Sequence, residues 1–517
     1  MAPNVPRAFV PIRLAQNGER GSPAVAIAAA RRHTGPMPAP VILWFRRDLR
    51  LADNPALQAA LKLDAPIIPL FVLEESSNVR ALGGASLWWL DKSLAALEAQ
   101  LAARGSQVVL RQGDAGLIVP ALAAEVGAAS VLWNGLFDPG LAERDARLAE
   151  TLTAQGVEPR RFNGAHLIQP DAVRTKTGGA FSVFTPFWRT ARQLVAPGSP
   201  QPPPDALPCP AAWPASDRLA DWGLHPTTPD WSKGFSDWRP GEAGALERLE
   251  TFVDGPLANY ATDRDRPDRE GVSRLSPHLH FGEISPKACW RAAEAAVARG
   301  AASESQAEKF LAELGWREFN TAIAGRGRDL ARENFDVKFD AFPWRDAPAD
   351  LEAWRRGRTG YPMVDAGLRQ LWATGWMHNR VRMVVASFLT KHLLIDWREG
   401  EAWFWDTLVD ADHASNAGNW QWTAGSGADA SPYFRIFNPM AQGEKFDPDG
   451  AYVRRWVPEL ARLPAKVIHA PWTADRAILS ACGVTLGLTY PHPIVDHDGA
   501  RKRALDAYQR MKAAADV

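Results

Sequence analysis

Residues able to do chemistry crowd into two stretches of this chain. Asp410 to Asn438 holds the carboxylates Asp410 and Asp412, the amide of Asn416, the indoles of Trp420 and Trp422 and the guanidinium of Arg435 in a mostly uncharged run. Gly360 to Leu389 is largely apolar but carries Asn379, Arg380 and Arg382, with Met383 beside them. Oxidisable indoles, hydrogen-bonding groups and arginines in one region suit a site that holds a flat aromatic cofactor and moves electrons through it. The spacing predicts a helix over Trp376–Leu394, in which Asn379, Arg382 and Met383 share a face. Val381, Val384, Val385 and Phe388 would serve the core. An arginine set in an apolar helix needs an anion. Asp410 and Asp412 are the candidates, and a purely structural ion pair is the plain alternative. Met383 taken singly reads as a core filler.

The elements that would position these residues are of two kinds. Val41–Phe45 (VILWF), Ile67–Leu73, Gln107–Leu110 and Val131–Trp133 are short apolar runs, predicted as buried strands. Helical stretches alternate with them, such as Ala85–Ala103 with Leu87, Leu90, Leu94 and Leu97 on one face. That alternation predicts an α/β domain over residues 39–170, a Rossmann-like parallel sheet with helices on both faces. No G-x-G-x-x-G follows the first strand, so the usual pyrophosphate loop is missing. Residues 171–240 are expected to form a connector, extended through its proline-rich middle at Pro197–Pro214. From 241 to 515 an all-α domain is expected, with helices over Phe310–Ile323, Tyr361–Thr374, Trp376–Leu394 and Gly400–Leu408.

Composition narrows the function classes. At 517 residues the chain is long for one core, which supports two domains and a linker. Its 22 tryptophans call for a reason beyond chance, a large aromatic core being the plain one. Formal net charge is zero, so any nucleic-acid surface must be local. Arginines do cluster, at Arg264, Arg266, Arg269 and Arg274, at Arg355, Arg356 and Arg358, and at Arg380 and Arg382. By themselves such clusters are more often solvated faces. Cys209, Cys289 and Cys482 are far apart and make neither a metal spacing nor a disulfide framework. With no H-E-x-x-H or C-x-x-C, no metal site is expected, and a reducing, cytoplasmic location is. No apolar run approaches membrane-spanning length. Residues 1–36 carry five arginines and a single acid, Glu19, a composition shared with transit peptides. The expectation is a disordered extension over residues 1–38.

An ordered set of segments carries a resemblance from Val41 to the C-terminus: WFRRDLR (Trp44–Arg50), VSRLSPHLHFGEIS (Val272–Ser285), ELGWREF (Glu313–Phe319), TGYPMVDAGLRQL (Thr359–Leu371), GWMHNRVRM (Gly375–Met383), DWREGE (Asp396–Glu401) and NWQW followed by PYFRIFNP. In these the chain resembles the photolyase/cryptochrome flavoproteins, most of all bacterial cyclobutane pyrimidine dimer (CPD) photolyases. The resemblance implies an antenna-binding type of α/β domain and an all-α domain holding FAD in a bent form. It implies cofactor contacts from Tyr260, from the loop Val272, Ser273, Arg274, Leu275 and Ser276, and from Arg317. Arg382 paired with Asp410, and Ala411, Asp412 and Asn416, complete that set. Hydroxyls, backbone N–H groups and Arg274 suit a pyrophosphate. Val272 stands where relatives often carry threonine, so backbone must serve there. Asn416 matches the residue facing flavin N5. Plant cryptochromes tend to have aspartate there, so the amide favours repair over signalling.

The same resemblance assigns Trp420, Trp397 and Trp344 to an electron-transfer chain that moves a hole outward in short hops. Glu313, Trp316, Asn379 and Met383 match residues that contact a flipped-out dimer. Asn320 lies beside them where many relatives have an aromatic residue. Arg264, Arg380 and Gln442 match positions touching the DNA backbone. Glu143 matches a glutamate used for a folate antenna, but Ala142 replaces its neighbouring asparagine. That leaves methenyltetrahydrofolate, a deazaflavin or no antenna at all. The implied protein is a deoxyribodipyrimidine photolyase, a monomer that acts on damaged DNA and no membrane. A cryptochrome-type blue-light receptor is one alternative, and the short stretch after Arg501–Ala513 weighs against it. A (6-4) photolyase is the other, disfavoured because that group has histidines at the positions of Asn379 and Met383.

Overall fold

The structure, a computed structural model, describes residues 38–430 and 434–515. The expected N-terminal extension lies outside the described residues except for its last position, and so do Pro432 and Tyr433. Strands β1 (Val41–Phe45), β2 (Ile67–Glu74), β3 (Val109–Gly113), β4 (Ser130–Asn134) and β5 (Glu158–Phe162) form one parallel sheet in the order β3-β2-β1-β4-β5. β1 is central, with Val41 opposite both Ile67 and Ser130. All five of its side chains are buried. Helices cover both faces, which is why its sequence is an unbroken apolar run rather than an alternating one. On one face Leu43 and Phe45 pack with Leu57 of α1 (Pro55–Leu61) and Leu90, Leu94 and Leu97 of α2 (Gly84–Ala102). On the other, Ile42, Trp44, Val131 and Trp133 pack with Val119 and Leu122 of α3 (Ala115–Val126) and Leu148 of α4 (Pro139–Ala154). The sequence pattern gives no sign of β5. Its residues EPRRF are polar and partly exposed, as an edge strand allows.

Residues 171–240 do not simply cross between domains. Pro208 accepts from Ile67 N at 2.8 Å, and Asp217 N donates to the Leu110 carbonyl at 2.9 Å, so the proline-rich segment is fastened beside β2 and β3. Before it, α5 (Phe184–Leu194) buries Phe184, Phe187, Trp188 and Ala191 against α6 (Glu304–Ala324).

The helical part is centred on α10 (His413–Ala424), which packs against α6, α8 (Asn379–Ser387) and α9 (Trp397–Thr407); α7 (Pro362–Thr374) lies beyond α8. Asp412 caps α10 by accepting from Ser415 N at 2.9 Å. The helix expected over Trp376–Leu394 is shorter. It starts after His378, whose side chain accepts from Arg380 N, and gives way to a π turn over Phe388–His392. α9 and α10 approach closely because Gly400 has no side chain. A Cβ there would come within 2.1 Å of the Trp420 ring. No helix among the described residues is long and apolar enough to cross a membrane.

Candidate active site

Two large apolar clusters dominate the helical part. One holds Trp354, Trp397, Phe404 and Trp420, the other Phe184, Trp188, Phe310 and Phe319. A cavity of about 460 Å³ is lined by residues of both. Polar groups enter it from five places.

The turn into α10 brings Asp410, Ala411, Asp412, Ser415 and Asn416 to the cavity. Asp410 Oδ2 accepts from Arg382 Nη2 at 2.8 Å and from Ser276 Oγ at 2.6 Å. Its other oxygen is buried with no hydrogen-bond partner. A buried carboxylate oxygen left open in a cavity is costly unless a ligand supplies a donor. Burial would raise the Asp412 carboxyl, but His280 and the charges of Arg47 and Arg317 outweigh it and hold it well below its usual range. His280 Nδ1 lies 3.5 Å from Asp412, and burial lowers the imidazole's proton affinity. Arg47 follows β1 and reaches Asp412 at 3.6 Å while also pairing with Asp138. Burial lowers the Arg47 guanidinium to about 10 despite Asp412. Arg317 of α6 lines the cavity and donates to the Ala165 carbonyl at 2.6 Å, a second tie to the α/β side.

Asn416 turns its amide nitrogen away from the cavity, onto Glu401, at 3.0 and 2.9 Å. Trp420 is 2% exposed, meets Phe404 edge-on at 5.0 Å and Trp354 at 6.2 Å, and leaves its buried N–H unpartnered. These donors and acceptors, with open valences on Asp410 and Trp420, fit a flat cofactor bearing several polar edges. Among the described residues, no cluster of three or more His, Cys, Asp or Glu side chains is arranged to hold a metal ion.

Another part of the lining carries Tyr260, Arg264, Glu313, Trp316, Asn320, Asn379, Arg380 and Met383. Arg264 pairs with Glu313, and Arg380 with Asp265 at 2.7 Å. Burial, aided by the Glu313 charge, raises the Tyr260 phenol far above its usual range and keeps it neutral. Trp316 stacks on Phe184 with ring centroids 3.8 Å apart and planes 7° off parallel, which supports one face and holds the indole flat. Asn320 is buried beside Gly418, where a Cβ would sit 2.8 Å from its Oδ1.

The structure thus gathers most of the residues singled out in the sequence, and sets some apart. Ser273, Leu275 and Ser276 line the cavity, but Val272 and Arg274 line a separate small cleft with Trp376, His378, Tyr452 and Arg455. Arg274 has φ of +51°, in the left-handed region that is uncommon for a non-glycine residue. Its guanidinium bonds Glu270 at 3.0 Å and lies 4.9 Å over Trp376, so it is not placed as a cofactor-phosphate donor. Gln442 stands outside the cavity lining, on the helix Pro439–Phe446. Trp397 and Trp344 also stand outside it, in or against the core that holds Trp420. Trp397 is fully buried and donates to Asn334 Oδ1 at 2.9 Å, and half-buried Trp344 packs on Phe342 at 4.3 Å. Sequence reasoning missed Arg47, His280 and Glu401. The segments WFRRDLR, SPHLHFGEIS and DWREGE contain them, but nothing local marks their contacts.

Residues 41–209 match the family model described as DNA photolyase, and residues 310–510 match the FAD binding domain of DNA photolyase. The chain is 53% identical to a deoxyribodipyrimidine photo-lyase of Agrobacterium fabrum, over 92% of this chain and 98% of that one. It is 40% identical to cryptochrome-1 of Arabidopsis thaliana, over 91% of this chain and 70% of that one. The crystal structure of a bacterial class III photolyase from Agrobacterium tumefaciens matches with a TM-score of 0.90 at 52% identity, over 94% of this chain and all of that one. The cavity, the two-part fold and these matches agree, and the chain belongs to the DNA photolyase/cryptochrome family.

Proposed function

We propose that this protein is a deoxyribodipyrimidine photolyase that uses FAD and light to split CPD lesions in DNA. The observation that carries the reading is one cavity with two chemically distinct linings, a cofactor-type set around Asp410 and Asn416 and a base-type set around Glu313 and Trp316. FAD, when bound, reduced and excited by light, supplies the electron that opens the dimer's two carbon–carbon bonds and recovers it afterwards. Arg382 and Ser276 fix Asp410, and Asp412 is kept charged by its cationic neighbours, so both carboxylates would be placed to accept hydrogen bonds from the cofactor. The main-chain N–H groups of Ser273 and Ser276 and the Ser273 hydroxyl would serve its phosphates, the Ser276 hydroxyl being engaged on Asp410.

Trp316, backed by Phe184, offers a rigid face for stacking, worth roughly 1–3 kcal/mol per base in single-strand sites. Glu313 hydrogen-bonds the pyrimidine edge once Arg264 moves from it to a DNA phosphate. Asn379 and Met383 fill the positions that would be histidines in a (6-4) enzyme, and Asn416 is the repair-type amide rather than the aspartate of plant cryptochromes. Trp420, Trp397 and Trp344 serve to reduce oxidised flavin from the surface inward. Irradiating the reduced holoprotein with dimer-containing DNA is expected to restore thymines. Failure to do so with FAD bound and reduced would reject this reading, and light-dependent partner binding without repair would assign the protein to signalling instead.

For an antenna, Glu143 is a poor seat. It is exposed on α4 and pairs with Arg147 one turn away. A better one is the pair Trp372 and Trp403, whose rings are parallel within 6° at 5.9 Å between centroids, with Trp372 59% exposed. An exposed indole held flat beside another invites a third flat ring. A near-ultraviolet absorbance band additional to the flavin's is expected in the native protein and is expected to vanish in Trp372→Ala. A band that persists in that variant places the antenna elsewhere.

A further inference from the structure

Asn416 is gripped from behind by residues that do not touch the cavity. Its amide nitrogen donates to the main-chain oxygen of Glu401 at 3.0 Å and to Glu401 Oε1 at 2.9 Å. Both partners only accept, so both amide hydrogens point at Glu401 and Oδ1 is the end left for the cavity. Glu401 is 2% exposed and lies outside the cavity lining. Arg80 holds its carboxylate in a two-pronged grip, Nη1 to Oε1 at 2.7 Å and Nη2 to Oε2 at 2.8 Å.

Arg80 comes from the loop after β2, 321 positions away in sequence. That loop is clasped to α9. The Arg80 guanidinium lies 4.1 Å over the Trp405 ring, and Trp405 Nε1 donates to the Ala81 carbonyl at 2.8 Å. Gly84 N donates to Asp406 Oδ1 at 2.9 Å, and Gly83 is pressed so close that a Cβ would lie 2.2 Å from the Trp405 carbonyl oxygen. The clasp joins the α/β side of the molecule to the helix behind Asn416.

We propose that Arg80 and Glu401 are positioning residues that set the flavin's redox balance, by presenting Asn416 carbonyl-first to ring nitrogen N5. This rests on the reading that FAD occupies the cavity with N5 at Asn416. Oxidised N5 is an acceptor and is repelled by a carbonyl oxygen, whereas reduced N5 carries a proton and donates to it. The arrangement therefore favours the reduced form, FADH⁻, made from FAD by two electrons and one proton. A neutral amide at position 401 can face Asn416 with either end, and without Arg80 the carboxylate is no longer held on the amide. Either change removes the side-chain half of the grip and leaves the main-chain bond to Glu401 to hold Asn416 alone.

The test uses the full-length holoprotein. Wild type, Glu401→Gln, Arg80→Gln and Arg80→Lys are reduced with dithionite, desalted and returned to air in the dark. Oxidised flavin absorbance is then followed as FADH⁻ passes two electrons to dioxygen, giving FAD and hydrogen peroxide with uptake of one proton. FAD content and thermal melting are measured alongside. Losing one oriented hydrogen bond is expected to speed reoxidation about five- to tenfold in Glu401→Gln and Arg80→Gln, at unchanged FAD content. Arg80→Lys keeps the charge but not the fork and is expected to fall between. If a variant loses flavin or folds poorly, the midpoint potential of its remaining holoprotein replaces the rate. A wild-type rate or potential in Glu401→Gln overturns the proposal. Wild-type protein that takes up no FAD, or Asn416→Ala with wild-type reoxidation, sinks the cavity reading instead.

Discussion

Trp420 stands at the border between cavity and core, belonging to both. Its unpartnered N–H makes no structural hydrogen bond that a substitution would break. Trp420→Phe is therefore expected to keep the fold and remove the oxidisable ring. Photoreduction of the oxidised protein should fall close to zero. Repair by protein reduced beforehand should stay within about twofold, a change below roughly 0.5 kcal/mol in barrier. Loss of both together would mean the indole matters for packing. At this scale the sequence was legible where a residue's own chemistry demanded a partner. A cation in an apolar helix needs an anion, and Arg382 has Asp410 at 2.8 Å. It was illegible where backbone direction decides. Arg274 has the right chemistry for a phosphate, but it has a left-handed φ and lines another cleft, paired with Glu270 over Trp376. Glu401 and Arg80 gave no signal because their meaning lies in a contact spanning most of the chain.

Helices α9 and α10 owe their close crossing to Gly400. In an exposed helix, glycine to alanine stabilises by about 1 kcal/mol. At this position a Cβ meets the buried Trp420 ring at 2.1 Å, and that ring is boxed in by Phe404 and Trp354. Overpacking of this kind costs typically about 1–3 kcal/mol. Gly400→Ala is thus expected to lower the denaturation midpoint and to slow photoreduction by shifting Trp420. A stabilised variant would show that the crossing has slack. Elements with a clear apolar period, such as β1 and α2, could be read from the sequence. β5 could not, because an edge strand of mixed polar residues has no period. Nor could the π turn over Phe388–His392, because its residues stay apolar while the hydrogen-bond ladder widens.

Across the whole molecule, zero net charge means DNA is not drawn in by a global field. If the proposed DNA contacts hold, the affinity comes from a few arginines near the cavity, and two of these are already engaged within the protein. Arg264 pairs with Glu313 and Arg380 with Asp265. On the proposed reading each would exchange an internal carboxylate for a phosphate, so binding would gain less from them than from free cations. On that reading each phosphate contact would release a carboxylate to face the lesion or solvent, linking docking to preparation of the site. A shallow dependence of affinity on salt follows. Each true phosphate contact contributes a slope of about −0.9 in log affinity against log salt. Arg380→Gln is expected to weaken binding of damaged and undamaged duplexes alike and to reduce that slope by about 1. Glu313→Gln is expected to lower the preference for dimer-containing DNA, because it alters the lesion contact, while freeing Arg264 and so strengthening binding of damaged and undamaged duplexes alike. A slope unchanged by Arg380→Gln would place this arginine inside the protein's own ion-pair network rather than on the DNA.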